Sequence, residues 1–305
     1  VITVGGPTAT GKTALSVALA RHFDGEIINA DSMQIYRHLS IGTAKATPEE
    51  RQGVPHHLLD FLEPEQPYSV AEFVRDASSC ISQITGRNHL PLLVGGTGLY
   101  ISSLLQGVTF APEQTDPALR RTLQQQAETE GPQSLYARLQ TVDPVYAQKV
   151  HPNNLTRVIR ALELYESTGR KMSEQQQASR PQEAPYRALC ICLTCRDRTE
   201  LYRRIDLRVD DMMRRGLLQE AELVWQYRDT YKTAAQAIGY KEFFPYFEGG
   251  QSLPGCVEDL KRATRRYAKR QLTWFRHQSE AVWLYLEDGA VEAKAIQQVE
   301  AFLQN

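Results

Sequence analysis

The octapeptide GPTATGKT, Gly6 to Thr13, follows the short apolar run Val1 to Val4 and precedes a segment in which Ala14, Leu15, Ala18 and Leu19 recur at helical spacing. Its G-x-x-x-x-G-K-T spacing is that of a P-loop, and strand, glycine-rich turn and helix are the context such a loop requires. A turn of this kind gathers backbone amides at a helix N-terminus, where negative charge is favoured. Gly6, Pro7, Thr8, Ala9, Thr10, Gly11, Lys12 and Thr13 are therefore expected to surround a diphosphate, with Lys12 against its oxygens and the Thr13 hydroxyl offered to Mg²⁺.

The rest of the first hundred residues continues as strand, turn and helix units. Glu26 to Ala30 is a second strand ending at Asp31, and Leu90 to Val94 is a continuous apolar run, as in a strand buried on both faces of a parallel sheet. That run ends in a second glycine-rich turn, Gly95 to Gly98. Ser69 and Glu72 have the spacing of a capping box for a helix reaching about Thr85. Residues 41–68, with Pro48, Pro55, Pro64 and Pro67, read as a long loop. From Ala111 the chain turns to polar, Gln-rich helical stretches punctuated by proline, with no strand signal before Arg187. Tyr186 to Cys195 then restores a strand, and Asp197 with Glu200 marks another capped helix ending near Gly216. The expected fold is α/β: a P-loop NTPase-like parallel sheet flanked by helices, built from residues 1–110 and 187–305, with an all-helical insertion over 111–186.

Composition narrows the function. No apolar run approaches the roughly 18 residues of a membrane span, so neither anchor nor secretory signal is expected and the cytoplasm is the default. The five cysteines are odd in number; three fall in the alternating run ALCICLTC and read as small buried hydrophobes rather than zinc ligands. A formal net charge of -1 argues against indiscriminate coating of nucleic acid. Charge is unevenly spread, however. Between Leu260 and Ser279 there is no acid, whereas Lys261, Arg262, Arg265, Arg266, Lys269, Arg270 and Arg276 surround Tyr267, Trp274 and Phe275. Such a basic, aromatic stretch suits phosphate contact.

A P-loop alone would suit a kinase or nucleotide hydrolase, but the acid that usually holds Mg²⁺ at a buried strand end is not evident after LPLLV. The acid in this region is Asp31, which faces the phosphate site across the carboxyl edge of the sheet as a base, a metal ligand or a helix cap. His56 and His57, adjacent in a proline-flanked loop, are read as loop residues near the site, open to hydrogen bonding and without a catalytic role.

GPTATGKT, DSMQIYRHLSIGTAK (Asp31 to Lys45), VPHHLLD, LLVGGTGLY, HPNNLTRVIRALE, QAIGYKE and YAKRQLTWFR occur in this order from residue 6 to 276. Together they closely resemble the bacterial tRNA dimethylallyltransferase family. The resemblance implies transfer of the dimethylallyl group of dimethylallyl diphosphate to the exocyclic N6 amine of adenosine 37, beside the anticodon, in tRNAs reading codons that begin with U. It implies Asp31 as base, Thr97 beside both reacting ends and Arg208 on the diphosphate, with a weaker indication for Arg204 one turn earlier. Contacts to the tRNA anticodon stem-loop are implied for Asp31, Ser32, Met33, Gln34 and Thr97, for Thr156, Arg157, Val158, Ile159 and Arg160, and for Gln236, Ala237, Ile238, Gly239, Tyr240 and Lys241. Gln34 is expected to pair with an adenine edge, and the insertion to clamp the stem-loop. Mg²⁺ is the implied cofactor, and a monomer the implied form. No Cys₂His₂ pattern is seen, as in the shorter bacterial proteins, and the start at Val1 suggests that a few residues precede it.

Overall fold

The computed structural model describes residues 1–110, 116–179, 181, 183–277 and 281–304. The expected start of the insertion, at Ala111 and Pro112, and the end of the acid-free stretch, at Ser279, lie outside them. Two compact units result: Val1–Leu105 with Tyr186–Asn305, and Gln106–Pro185.

The larger unit holds strands β1 (Ile2–Gly5), β2 (Gly25–Asn29), β3 (His56–His57), β4 (Leu90–Val94), β5 (Leu189–Thr194) and β6 (Val282–Tyr285). They form one parallel sheet in the order β3-β2-β4-β1-β5-β6. β1 lies between β4 and β5, with Val4 paired to Val94 on one side and Ile191 on the other. The glycine-rich turns after β1 and β4 thus emerge side by side at the carboxyl edge, where open α/β sheets bind ligands.

Helices cover both faces. On one, Leu15, Val17 and Leu19 of α1 (Lys12–His22) pack on Ile2, Val4 and Leu92 with Ala295 and Val299 of α14 (Val291–Gln304). On the other, Phe73, Ala77, Ile81 and Ile84 of α3 (Val70–Gly86), Tyr100, Ile101 and Leu104 of α4 (Gly98–Leu105), and Phe275 bury Ile28 and Leu93. The Ser69–Glu72 capping box forms in both directions. A third core joins Tyr36 and Leu39 to α10 (Arg198–Arg214), α11 (Leu217–Gln226), α12 (Phe244–Phe247) and α13 (Leu253–Arg276) through Val209, Val224, the partly buried Phe244 and Leu260.

Two local expectations are corrected. Residues 41–68 are not structureless: Pro48 opens the short helix α2 (Pro48–Arg51), capped by Thr47 and Glu50, and His56–His57 pairs with β2. Proline is tolerated at the first helical position because that N–H has no intrahelical partner. At Asp197 only half of the capping box forms: its carboxylate accepts from Thr199 N at 2.8 Å, while Glu200 turns to Arg203 at 2.7 Å.

In the smaller unit α5 (Pro117–Glu130), α6 (Pro132–Val142), α7 (Pro144–Ala147), α8 (Leu155–Thr168) and α9 (Met172–Ala178) share a core that includes Leu123, Leu135, Leu139, Val158 and Leu162. Glu163 is fully buried in it, accepting from Arg120 at 2.7 Å and Arg160 at 3.3 Å. Buried carboxylates need such partners.

Candidate active site

The turn after β1 is shaped by its glycines. Gly6 has φ +128°, and a Cβ there would lie 2.3 Å from the Leu193 carbonyl oxygen, so any larger residue would push β5 away. Ala9 is held at φ 66° and Gly11 at φ 83°. No side chain caps α1. Its first amides are thus left for an anion. Arg204 of α10 donates from Nε to the Ala9 carbonyl at 2.9 Å, fixing the loop from outside. Glu200, one turn before Arg204, pairs with Arg203 instead.

The loop opens into a cavity of about 290 Å³ whose lining includes Thr8 to Thr13, Asp31 to Gln34, Gly42 to Ala44, His56 and Arg208. Lys12 Nζ donates to its own loop at the Pro7 carbonyl, 2.8 Å away. Loss of hydration, reinforced by the nearby Arg208 charge, lowers its pKa to about 8 against the opposing pull of Asp31. Burial likewise lowers the Arg208 pKa, again opposed by Asp31. Two crowded, poorly hydrated cations over an uncapped helix start form a strong site for a polyanion.

Asp31 stands across the same cavity. Its Oδ1 accepts from Met33 N at 2.9 Å and Gln34 N at 3.4 Å, which fixes the carboxylate and leaves Oδ2 for other partners. Thr97 Oγ1 accepts from Ser32 N at 3.0 Å, tying the turn after β4 to the segment that carries Asp31. Apolar walls complete the chamber, with Met33, Met212, Ile238 and Leu260 among its lining residues.

Several expectations shift. Gln34 lines the cavity, but its amide nitrogen already donates to Thr43 O at 3.0 Å and Ala44 O at 3.3 Å, so only its carbonyl remains for a base edge. The side chains of Val158, Ile159, Ala237 and Tyr240 are buried in hydrophobic cores. Thr156, Arg157, Gln236 and Lys241 are exposed, Arg160 is half-buried, and Ile238 and Gly239 line the cavity. In the basic helix α13, Lys261 meets Asp210 at 2.7 Å, Arg265 meets Asp206 at 2.6 Å and Arg262 pairs with Asp259. Packing of α10 supplies acids that the local sequence lacks; among the described residues Arg266, Lys269, Arg270 and Arg276 enter no ion pair, and Arg270 lies over the Tyr267 ring. His56 lines the cavity, near the site as read from the sequence, its Nδ1 2.8 Å from the Val54 carbonyl. Burial lowers its pKa.

Three contributors escaped sequence reasoning. Gln271 and Tyr267 both line the cavity from α13, inside a motif whose charges drew the attention. Glu220 lies in no motif. Its carboxylate accepts from Ser40 N and Gly42 N at 2.8 Å, from Ile41 N at 2.9 Å and from the Tyr240 hydroxyl at 2.8 Å, so it organises the strap that forms one cavity wall. Glu220→Ala is expected to destabilise the protein by about 2–4 kcal/mol, since each buried group left unpaired costs about 1–3 kcal/mol and water replaces the outermost bonds. Urea unfolding of parent and variant checks this.

A cavity that combines a P-loop with a facing carboxylate and apolar walls agrees with the comparisons with known proteins. The family model for IPP transferase matches residues 34–278, and that for isopentenyl transferase matches residues 1–62. The tRNA dimethylallyltransferase of Geobacillus kaustophilus is 47% identical over 98% of this chain and 94% of its own length. The chain belongs to the tRNA dimethylallyltransferase family. The Bacillus subtilis member is 48% identical over 93% of this chain and 90% of its own. Among solved structures, a tRNA isopentenylpyrophosphate transferase from Bacillus halodurans matches at 40% identity and TM-score 0.73, covering 99% of this chain and 96% of that one. A eukaryotic dimethylallyltransferase acting on tRNA matches at 32% identity and TM-score 0.85, covering all of this chain and 79% of its own. No helix among the described residues is long and apolar enough to cross a membrane.

Proposed function

We propose that the chain transfers the dimethylallyl group of dimethylallyl diphosphate to N6 of adenosine 37 in tRNAs that read codons beginning with U. The observation that carries this reading is that one chamber joins a dehydrated cationic cradle, Lys12 and Arg208, to the fixed carboxylate of Asp31 and to apolar walls. A diphosphate, a five-carbon chain and an aryl amine each have a matching surface there.

In this reading the N6 lone pair attacks C1 of the dimethylallyl group while the C1–O bond breaks and its electrons leave with diphosphate. The amine is a weak nucleophile because its lone pair is shared with the ring. Removal of its proton by Asp31 Oδ2 as the C–N bond forms lowers that barrier. Lys12, Arg208 and the loop amides stabilise the charge that develops on the leaving oxygens.

Mg²⁺ fits the donor set as an ion held mainly by diphosphate and water, with the Thr13 hydroxyl as the protein's ligand. When bound it would neutralise charge on the leaving diphosphate. Arg157, Thr156 and Arg160, with Gln236, Ile238, Gly239 and Lys241, are proposed contacts to the anticodon stem-loop. The active form is read as a monomer in the cytoplasm.

The test is transfer of labelled dimethylallyl group to unmodified tRNA with Mg²⁺, with ATP offered as the alternative substrate. Prenylated adenosine without ATP turnover is expected; ATP hydrolysis without prenylation would overturn the reading. Binding should also carry a proton signature. Lys12 is partly neutral above its pKa of about 8. An anion favours the charged form, so binding raises that pKa and affinity falls as pH rises beyond 8. Calorimetric titration with diphosphate at pH 8.5, in buffers of different ionisation heat, is expected to show more proton uptake by the parent than by Lys12→Arg, whose cation is permanently charged, so that the diphosphate's own ionisation cancels. Equal proton exchange by the two would exclude Lys12 from the anion site.

A further inference from the structure

α13 reaches both glycine-rich turns through a single side chain. Gln271 is 5% exposed, its Oε1 accepts from the Thr8 amide at 3.0 Å and its Nε2 donates to the Gly96 carbonyl at 3.1 Å. The two partners dictate the amide's orientation, because a backbone N–H must donate and a carbonyl must accept. Gly96 makes room for it: a Cβ there would lie 2.1 Å from Gln271 Nε2. One turn earlier, Tyr267 lines the same cavity; burial raises its hydroxyl pKa, and the nearby side chains of Thr97 and Gln271 pull against that rise. Thr97 in turn holds the Ser32 amide next to Asp31.

α13 is itself fixed against the sheet. Ala268 and Leu272 pack on Leu201 and Ile205 of α10, and the Phe275 ring would lie 2.3 Å from a Cβ at Gly5. Thr8 belongs to the P-loop, whereas Gly96 and Thr97 belong to the turn after β4, which Thr97 ties to the segment that carries Asp31. The pairing of β1 with β4 fixes the strand ends, and Gln271 fixes the loops beyond them.

We infer that Gln271, supported by Tyr267, is a positioning residue that sets the distance between the diphosphate cradle and the amine side of the cavity. This rests on the prenyl-transfer reading above. In-line displacement needs amine nitrogen, C1 and leaving oxygen aligned, and a misplacement of about 1 Å costs on the order of a hundredfold in rate. When alignment is lost but the cradle is intact, water takes the place of the amine. The C1–O bond still breaks with its electron pair leaving on diphosphate, a water oxygen bonds to C1, and the water proton passes to solvent. The products are dimethylallyl alcohol and diphosphate.

The experiment compares the parent enzyme with Gln271→Met, which keeps similar bulk without the hydrogen bonds, and with Tyr267→Phe, which removes only a hydroxyl. Prenylated adenosine and dimethylallyl alcohol are measured together, diphosphate affinity by calorimetry and folding by thermal melting. Gln271→Met is expected to lower transfer kcat about a hundredfold and to raise the ratio of alcohol to prenylated adenosine at least about tenfold, with diphosphate affinity within about threefold of the parent. Tyr267→Phe should move the same ratio in the same direction by a smaller factor, and it carries the test if the methionine variant does not fold.

A loss of diphosphate affinity in step with transfer would make Gln271 part of the cradle and overturn the inference. An unchanged product ratio would overturn it too, reducing both residues to packing. Absence of prenylated adenosine from the parent would sink the transfer reading itself, a result distinct from any difference between parent and variants.

Discussion

Lys12→Ala is expected to lower kcat/KM for dimethylallyl diphosphate about a thousandfold, or ~4 kcal/mol of transition-state stabilisation. The size follows from the environment. In water an ammonium adds little, because solvent already screens the diphosphate. Here the ammonium is stripped of hydration and crowded by Arg208, so its pKa is lowered to about 8, and a bound diphosphate relieves both penalties. The charge on the leaving oxygens grows as C1–O breaks, so the loss should fall more on kcat than on KM. Lys12→Arg keeps a cation of different shape and should recover part of the rate. Steady-state kinetics with tRNA at saturation measures the effect. A variant within threefold of the parent would mean that the P-loop lysine serves only its contact with the Pro7 carbonyl.

Asp31→Asn is the second large effect, with a fall in kcat of about 10²–10⁴ and little change in KM for dimethylallyl diphosphate. The asparagine variant separates two roles that alanine would merge. Its carbonyl oxygen can still accept from the amides of Met33 and Gln34, so the turn survives. What it lacks is a carboxylate able to take the N6 proton. If Asp31→Asn kept parental activity while Asp31→Ala lost it, the residue would be a turn-former and the base would lie elsewhere. Equal large losses in both, with diphosphate binding intact, support proton removal by this side chain.

The readable and unreadable parts of the protein divide along physical lines. The strand, turn and helix around GPTATGKT, the buried strand LPLLV and the Ser69–Glu72 cap depend on neighbours within a few positions. Hydrophobic period, capping chemistry and glycine conformation therefore expose them directly. The 41–68 segment misled because four prolines outweighed one fact, that proline at a first helical position starts a turn as easily as it prevents one.

The seven cations of α13 misled in another way. Their local excess is real, yet α10 brings Asp206 and Asp210 to Arg265 and Lys261 from more than fifty positions away. Tyr240 was marked for RNA by its motif, but the fold buries it and spends its hydroxyl on Glu220.

From its sequence alone, then, this protein already carried the P-loop motif, the facing acid at the second strand end and the α/β order of its elements. Each is written in short-range spacing. Packing alone settled how Gln271 spans the two glycine-rich turns, how Glu220 gathers three amides of one strap, and how Arg204 grips the Ala9 carbonyl. Those bonds join residues up to 263 positions apart. Nothing local to either partner states the distance between them; it is fixed only when helices and sheet close around a common core.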